Sequence, residues 1–377
     1  MKKINLSNVF KTSEKEGKMD FPLFVSIIIL LCIGIIMVSS ASSYSALANY
    51  DDSNYFFTKQ LGFGIVGVIF MLVISKIDYR KYKKLSYLFF GIAIILMILV
   101  LTPLGVSVNG AKRWLGVGSF FRFQPSEIMK IALIFATATY VSINYKKLET
   151  WKGYIVPGIF LVSVGIIMYL QDHLSGMIVM GVASLSIIFS SGIKIKPIYV
   201  ILAVILVAGV LAAFVFSDSY RLSRITAFLH PEEDIRGSNW QPAQSLYALG
   251  SGEIFGLGLG QSREKYLWLP EAQNDFIFSV LGEELGFVGA VGVLLLFLFF
   301  VYRGFKIAMS CKELYGSMIA SGIVSVFAIQ IFINIAVVTC SMPTTGMPLP
   351  FFSYGGTALL FNLCTMGVLL NISRNCK

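Results

Sequence analysis

The chain has 377 residues, of which 56% are hydrophobic and only 13% are charged, and its formal net charge is +10. This composition lies far outside the averages of soluble globular proteins. Together with apolar runs of about 20 residues, it excludes a soluble enzyme and indicates a helical protein that crosses a membrane several times. The positive charge does not require a nucleic acid partner, because most Lys and Arg residues lie in the termini and in the even-numbered loops between the apolar runs, as the positive-inside rule describes.

The predicted fold class is all-α: a polytopic membrane protein with about ten transmembrane helices and a large extracytoplasmic loop between helices 7 and 8. We place the spans at about residues 21–42, 57–75, 85–104, 126–143, 153–170, 175–192, 197–216, 275–302, 314–340 and 352–371. Both termini are expected in the cytoplasm, as tails of residues 1–20 and 372–377 on either side of a membrane domain of residues 21–371. The first apolar run is too long for the core of a signal peptide, so we expect it to remain a membrane span.

Ten basic residues lie on or near the outer side, against the positive-inside rule. A residue that opposes this bias needs another reason for its position, and binding an anion is a good one. These residues are Lys59, Lys112, Arg113, Arg122, Lys130, Arg221, Arg224, Arg236, Arg263 and Lys265.

The third loop, residues 105–130, contains four of these cations, two of which, Lys112 and Arg113, directly precede an aromatic residue. Arg113 supplies a charge, and Trp114 supplies a rigid surface that suits the membrane interface. We therefore expect this loop to take part in binding on the outer side.

A helix is predicted to begin at Pro125, because proline suits the first helical position. Glu127 and Lys130 are three residues apart, so they share one face of this helix near the outer membrane boundary. Two interpretations stay open: the pair is an ion pair that locks two helices, or it forms part of the wall of a polar cavity.

The sequence indicates no metal site and no disulfide. His173, in the fifth loop (residues 171–176), has no partner ligands, and a lone histidine is usually a satisfied interfacial residue. The five cysteines lack any CxxC spacing and are expected to be unpaired apolar or solvated residues. They are Cys32, Cys311, Cys340, Cys364 and Cys376.

The longest polar stretch, residues 217–286, includes the predicted extracytoplasmic loop of residues 217–275. It contains half of the chain's 20 acidic residues and several of the outer cations. Loops beyond about 15 residues are usually functional or disordered. Because this one contains aromatic residues and a glycine-rich centre, we interpret it as an ordered outer cap that carries chemistry.

The glycine-rich centre contains the spacing Gly256-x-Gly258-x-Gly260. No strand precedes it and no Lys-Ser/Thr pair follows it, so the spacing does not indicate a dinucleotide or P-loop site. We expect these glycines to provide backbone flexibility near a ligand or the membrane surface.

Asp275 stands where the polar stretch meets the eighth span. It is either the N-cap of that helix or a functional carboxylate. Glu283 and Glu284 lie two turns deeper, and because adjacent residues do not share a helix face, one is expected to face the bundle while the other is harder to place. Ser353 stands beside two glycines at the start of the last span, and broken helix starts of this kind usually line a cavity.

These residues, in this order, resemble the SEDS family (shape, elongation, division and sporulation), which includes FtsW, RodA and SpoVE. The resemblance covers nearly the whole chain, and its wording is closer to the FtsW and SpoVE branch than to RodA. It is carried by VSSAS at 38–42, GAKRWLGVGSFFRFQPSEIMK at 110–130, AFLHPEED at 227–234, QSLYALGSGEIFGLGLGQSREKYLWLPEAQNDFIFSVLGEELGFVGA at 244–290 and LPFFSYGGTALL at 349–360.

The resemblance implies a peptidoglycan glycosyltransferase that polymerises lipid II on the outer membrane face, in cell division or sporulation. It implies an essential acidic residue at Asp275 and family motif positions at Arg113, Trp114, Glu127 and Lys130. It also implies a class B penicillin-binding transpeptidase as partner, besides membrane lipid. The chain departs from the family pattern at His173 and Ser175, where many members read DLGT, so no role is carried over to these two residues.

The chemistry expected from these residues is glycosyl transfer with Asp275 as general base and with release of a polyprenyl pyrophosphate. The expected substrate-binding residues are Arg113, Trp114, Glu127, Lys130, Arg221, Arg224, Arg263, Lys265 and Ser353. No cofactor is identified, and a need for a divalent cation stays open.

Two alternatives also stay open. One is a flippase that moves lipid II across the bilayer, although the polar groups crowd one face and no inverted repeat of broken helices is evident. The other is a scaffold without catalysis that recruits the transpeptidase.

Overall fold

The computed structural model describes residues 17–108, 111–117, 121–192, 228, 237, 239–266 and 268–376. Ten α-helices have defined bounds within these ranges. They are α1 (Phe21–Tyr50), α2 (Tyr55–Ile74), α3 (Tyr82–Leu101), α4 (Pro125–Ile143), α5 (Ile155–Leu170), α6 (Leu174–Ser190), α7 (Trp240–Ser251), α8 (Ile277–Ser310), α9 (Leu314–Val338) and α10 (Gly356–Asn375).

The helical, polytopic class predicted from the sequence is confirmed. In the described part of the chain, eight helical segments are long and apolar enough to cross a membrane, and α6 is a shorter apolar helix. Nine of the predicted spans coincide with α1 to α6 and α8 to α10, and α4 begins at Pro125 as expected. The seventh predicted span, residues 197–216, lies outside the described residues.

The most buried of the long helices is α9, which packs against α4, α6 and α8. It is apolar around its whole circumference, and a helix of this kind is stable only when it is surrounded by other helices or lipid. Around it, α2 packs mainly on α10, α3 on α4, and α1 on α8 and α2. Most side chains of α9 therefore lie inside the bundle.

The first described residues, which precede α1, and the C-terminal end of α10 lie on one face of the bundle, which we call the terminal face. The backbone N–H of Gly17 donates to the carbonyl of Arg374 (3.1 Å), and the Asp20 carboxylate pairs with Arg303 in α8. The turn between α2 and α3 also lies on this face, where Tyr79 donates to Glu313 (2.6 Å). Since successive membrane helices alternate in direction, the turns between α1 and α2, between α5 and α6, and between α9 and α10 are on the opposite face.

A three-stranded antiparallel sheet joins α3 to α4 and was not expected from the sequence. Its strands β1 (Gly105–Val108), β2 (Ala111–Val117) and β3 (Phe121–Phe123) are ordered β1-β2-β3. Trp114 in β2 lies opposite Val106 in β1, with a register irregularity beside that pair. Strands of three to seven residues leave little periodicity to detect, which is why the sequence indicated only a loop.

The expectation that all cysteines are unpaired is wrong for two of them. Cys311, after α8, and Cys376, after α10, are joined by a disulfide on the terminal face, and their Cα atoms are 4.5 Å apart. The two residues are separated by 65 positions in the sequence. Only the packing of the helices, which brings the last turns of α8 and α10 together, reveals their proximity.

Candidate active site

Asp275 lies in the turn of residues 271–276 that leads into α8. Other parts of the chain donate hydrogen bonds to three successive carbonyl groups of this turn. The donors are Tyr354 N to Gln273 O (2.9 Å), Ser353 Oγ to Asn274 O (2.7 Å) and Asn334 Nδ2 to Asp275 O (2.8 Å). The backbone of Asp275 is thus held by α9 on one side and by the segment before α10 on the other.

Asp275 does not occupy the N-cap position of α8. That position is taken by Phe276, whose side chain forms no capping hydrogen bond. The half-buried Asp275 side chain stands one residue before it. The functional role of the Asp275 carboxylate stays a prediction.

Ser353 is buried, and both hydrogen-bonding capacities of its hydroxyl are used within the protein. The hydroxyl accepts from the backbone N–H of Leu349 (2.7 Å) and donates to the carbonyl of Asn274 (2.7 Å). In addition, Gln60 in α2 donates to the Ser353 carbonyl (3.2 Å). The geometry gives Ser353 a part in holding the Asp275 turn.

The segment of residues 345–347 connects Asp275 to the start of α6. A Cβ atom placed on Gly346 would lie 3.4 Å from Asp275 Oδ2, so the carboxylate packs directly over this residue. Ser175 in the first turn of α6 donates to the carbonyl of Thr345 (3.2 Å). The departure from the family pattern at Ser175 thus lies next to the expected catalytic residue.

His173 is buried at the N-cap position of α6, outside the helix itself. Its Nε2 lies 3.4 Å from the side-chain nitrogen of Gln124, and its Nδ1 has no hydrogen-bond partner among the described residues. Burial, together with the positive charges of Arg113 and Lys130, lowers the pKa of His173 from 6.5 to about 3. The imidazole is therefore neutral at physiological pH and adds no positive charge near Arg113 and Lys130.

Arg113 extends from β2 to the carboxyl end of α5. Its guanidinium donates to the carbonyls of Gln171 (3.3 Å) and Asp172. Carbonyl groups at a helix C-terminus carry partial negative charge, which favours a cation at this place. The arginine is thus anchored beside His173, while Trp114 next to it in β2 is half-buried.

Glu127 and Lys130 form an ion pair, which is one of the two interpretations that their spacing left open. Lys130 Nζ lies 2.8 Å from Glu127 Oε2, and both side chains are buried in the first turns of α4. No acceptor among the described residues lies in line with the N–H bonds of Lys130, so the ammonium has an ionic contact but no well-formed hydrogen bond. A buried ammonium in this state can still donate a hydrogen bond to a ligand oxygen or a water.

Lys265 forms a second buried ion pair, with Glu284 in α8. Its ammonium lies 3.1 Å from Glu284 Oε1, 2.6 Å from the carbonyl of Gly260 and 3.3 Å from the hydroxyl of Ser40 in α1. Ser40 itself donates to Glu284 (2.6 Å). A cavity of about 430 Å³ lies beside this pair. Because the ammonium already has three acceptors within the protein, Lys265 is paired with Glu284 and not with substrate.

The helix α8 is broken at Gly286, whose φ is 65°. Residues 253–258 repair the break by exchanging backbone hydrogen bonds with α8. Leu257 N and Gly258 N donate to Glu283 O and Glu284 O (3.0 Å each), and Phe287 N and Val288 N donate to Glu253 O and Ile254 O (2.9 and 3.1 Å). A Cβ atom on Gly256 would lie 2.2 Å from the carbonyl oxygen of Glu284. Gly256 therefore permits close packing between the backbones of this segment and α8.

The break also explains how two adjacent glutamates can both be buried. Glu283 accepts from Ser262 Oγ (2.5 Å) and from the backbone N–H of Arg263 (2.8 Å), whereas Glu284 points to Lys265. The Arg263 side chain is exposed. Arg221 and Arg224 lie outside the described residues.

Comparison with known proteins identifies the family. The family model described as Cell cycle protein, covering FtsW, RodA and SpoVE, matches residues 21–377. The chain belongs to the FtsW/RodA/SpoVE family. It is 45% identical to Stage V sporulation protein E of Bacillus subtilis over 96% of this chain and 98% of the relative. It is 38% identical to the probable peptidoglycan glycosyltransferase FtsW of Trichlorobacter lovleyi, over 95% and 94% of the two chains.

Solved structures of this family have the same fold. A chain from the structure titled "Structural coordination of polymerization and crosslinking by a peptidoglycan synthase complex" is 26% identical, with a TM-score of 0.77 and coverage of 95% of this chain and 98% of that one. The rod shape determining protein RodA of Thermus thermophilus is 25% identical, with a TM-score of 0.68 and coverage of 95% and 97%. The fold described above is thus that of the FtsW/RodA/SpoVE family.

Several residues of the site could not be assigned from the sequence of this FtsW/RodA/SpoVE protein. Asn334 lies inside an apolar span and Gln60 lies near the start of one, and their only signal was the cost of burying an amide in a membrane. Glu284 could not be assigned a role from the sequence, because its partner Lys265 lies in a separate segment. The contact between Ser175 and Thr345 has no sequence signal, since the two residues are 170 positions apart.

Proposed function

We propose that this member of the FtsW/RodA/SpoVE family is a peptidoglycan glycosyltransferase that joins lipid II into β-1,4-linked glycan strands on the outer membrane face. The observation that carries the proposal is the threefold attachment of the Asp275 turn, through Tyr354, Ser353 and Asn334. A carboxylate whose backbone is held from two sides is prepared for a reaction that requires exact placement. The names of the relatives, several of them probable peptidoglycan glycosyltransferases, support the same reaction.

Asp275 acts as the general base. The carboxylate removes the proton from the 4-hydroxyl of an acceptor sugar while that oxygen attacks the anomeric carbon of the donor. The bond from this carbon to the pyrophosphate breaks, the configuration inverts, and the polyprenyl pyrophosphate leaves as an anion. A well-placed base of this type contributes about 10²–10⁴-fold to the rate.

Arg113 and Lys130 stabilise the charge that grows on the leaving pyrophosphate. Both lie near the neutral His173, as their effect on its pKa indicates, and a series of contacts through Ser175 and residues 345–347 connects this region to Asp275. Fixed cations in a site of low dielectric stabilise a developing anion strongly. Trp114, Arg221, Arg224 and Arg263 complete the substrate-binding set that we propose.

In the proposed topology, the terminal face is cytoplasmic and the Asp275 face is extracytoplasmic in the plasma membrane of a bacterium. The basic residues of the termini and even-numbered loops support this orientation. A transpeptidase of the class B penicillin-binding type is the proposed partner, because a glycan polymer becomes a wall only when it is crosslinked. The proposed role is in cell division or sporulation.

The experiment uses the purified full-length protein in sealed vesicles that contain labelled lipid II in one leaflet. We expect glycan polymer to form, with polyprenyl pyrophosphate released in proportion, in the presence or absence of the transpeptidase. Movement of lipid II between leaflets without polymer would overturn the proposal in favour of a flippase. If polymer forms only with a transpeptidase that has its own polymerase activity, the chain is a scaffold.

A further inference from the structure

Asn334 is a fully buried amide near the end of α9, and its nitrogen bridges two parts of the chain. Asn334 Nδ2 donates to the carbonyl of Asp275 (2.8 Å) and also to the carbonyl of Met347 (2.8 Å). The two N–H bonds of the amide are thereby both used. Among side chains of this size, only that of asparagine offers two N–H donors from one nitrogen without adding a charge.

The two carbonyls that Asn334 binds belong to the two segments that meet at the Asp275 carboxylate. One is the carbonyl of Asp275 itself, and the other is next to Gly346, over which the carboxylate packs. Because both hydrogen bonds start from the same nitrogen, this one group fixes the separation between Asp275 and the segment of residues 345–347. Because α9 is the most buried of the long helices, Asn334 holds the two segments from a closely packed element.

We propose that Asn334 is a positioning residue for the glycosyl transfer, acting through Asp275 and not through substrate. The proposal rests on the proposed function, since it assigns a role within the same site. Without the amide, the carbonyls of Asp275 and Met347 lose their donor in a buried place, and the turn moves to find water or another donor. A displacement of about 1 Å of a catalytic group costs on the order of 100-fold in rate.

The chain contains a matched control in Asn371 of α10. This residue is also buried, donates to the carbonyl of Ser75 (2.9 Å) and accepts from the backbone N–H of Tyr79 (2.9 Å). It ties a turn to a helix in the same way, but on the terminal face. Its loss should weaken the fold by a similar amount without affecting Asp275.

The kinetic experiment compares Asn334→Leu, Asn334→Ala and Asn371→Leu in lipid II polymerisation by the purified full-length protein. For both Asn334 variants we expect kcat to fall by about 10–100-fold with KM unchanged, and for Asn371→Leu we expect kcat within about twofold of the unsubstituted protein. In an Asp275→Asn background, Asn334→Leu should cause no additional loss, because its effect passes through the aspartate. Multiplying effects in this double variant, or a raised KM with normal kcat, would overturn the proposal.

Hydrogen exchange provides a readout that does not depend on activity. Asn334→Ala should speed amide exchange in the peptide of residues 271–280 and leave residues 74–82 unchanged, while Asn371→Leu should do the reverse. Equal exchange of residues 271–280 in Asn334→Ala and the unsubstituted protein would overturn the proposal. If the unsubstituted protein forms no polymer, the proposed function fails, whereas the exchange result still decides whether Asn334 holds the Asp275 turn.

Discussion

Lys265 Nζ lies 3.1 Å from Glu284 Oε1, and both side chains are almost completely buried. The sequence suggested that Lys265 binds the substrate pyrophosphate, because it stands on the outer side against the positive-inside rule. The structure offers a different reason for its position. Glu284 stands just before the break in α8, and its buried charge requires a cation nearby.

Removing either partner of this pair should unfold the protein more easily. We expect Lys265→Met or Glu284→Gln to lower the free energy of unfolding by about 3–5 kcal/mol, because the remaining group loses its partner in a buried place. Denaturation in detergent measures this change. As a control, Arg80→Met removes a pair that is 2.7 Å long but largely exposed on the terminal face, and it should cost less than about 1 kcal/mol. If Lys265→Met leaves stability intact and raises KM for lipid II instead, Lys265 binds substrate.

Gly346→Ala should reduce polymerisation. Gly346 has a φ of 65°, which costs an alanine about 1–2 kcal/mol, and the new methyl group would lie against Asp275 Oδ2. Gly192→Ala is the matched control, because Gly192 has a φ of 75° and its Cβ would have room. Both variants should lose similar stability, but only Gly346→Ala should lose turnover. Equal turnover in the two variants would mean that the carboxylate does not depend on this contact.

The depressed pKa of His173 predicts a loss of stability in mild acid. The folded state resists protonation down to a pKa of about 3, whereas the unfolded chain binds a proton near 6.5. Stability from this group is therefore complete above pH 6.5 and is lost as the pH falls from 6.5 toward 3. Between pH 7 and pH 5, the unfolding free energy should fall by about 2 kcal/mol more than in His173→Asn. Parallel pH profiles for the two proteins would show that the imidazole is protonated or solvated in the fold.

A double-mutant cycle should distinguish a catalytic role of the Glu127–Lys130 pair from a structural one. If Lys130 stabilises the leaving group, Lys130→Met lowers kcat strongly, and Glu127→Gln in the same protein does not restore it. If the pair is only a lock, Glu127→Gln/Lys130→Met recovers much of the stability that each single change loses, since no buried charge remains unpaired. Turnover and melting temperature of the four proteins separate these outcomes.

The sequence was sufficient to predict the membrane helices, because each membrane helix among the described residues is a long apolar run. It also predicted the start of α4 at Pro125 and placed Glu127 and Lys130 on one face of that helix, since both depend on residues within one turn. Asp275 was found from its position at the junction of a polar and an apolar stretch, together with the family resemblance.

The remaining features depend on contacts between distant segments. The break in α8 could not be predicted, because Gly286 is tolerated there only when residues 253–258 supply backbone partners. The same applies to Ser353, whose hydroxyl binds a carbonyl 79 positions away, and to the disulfide between Cys311 and Cys376. Single polar residues in apolar spans, such as Asn334, indicate that a partner exists but not which one.

The most direct test of the account compares Asp275→Asn with Asp51→Asn in lipid II polymerisation by purified full-length protein. Asp51 is an exposed acid on the same face with a φ of 55°, a conformation that asparagine accepts readily, so its replacement controls for the loss of one outer charge. We predict that Asp275→Asn keeps the melting temperature and loses polymer formation by at least about 10²-fold, while Asp51→Asn polymerises normally. Near-normal polymer from folded Asp275→Asn would contradict the assignment of Asp275 as the general base.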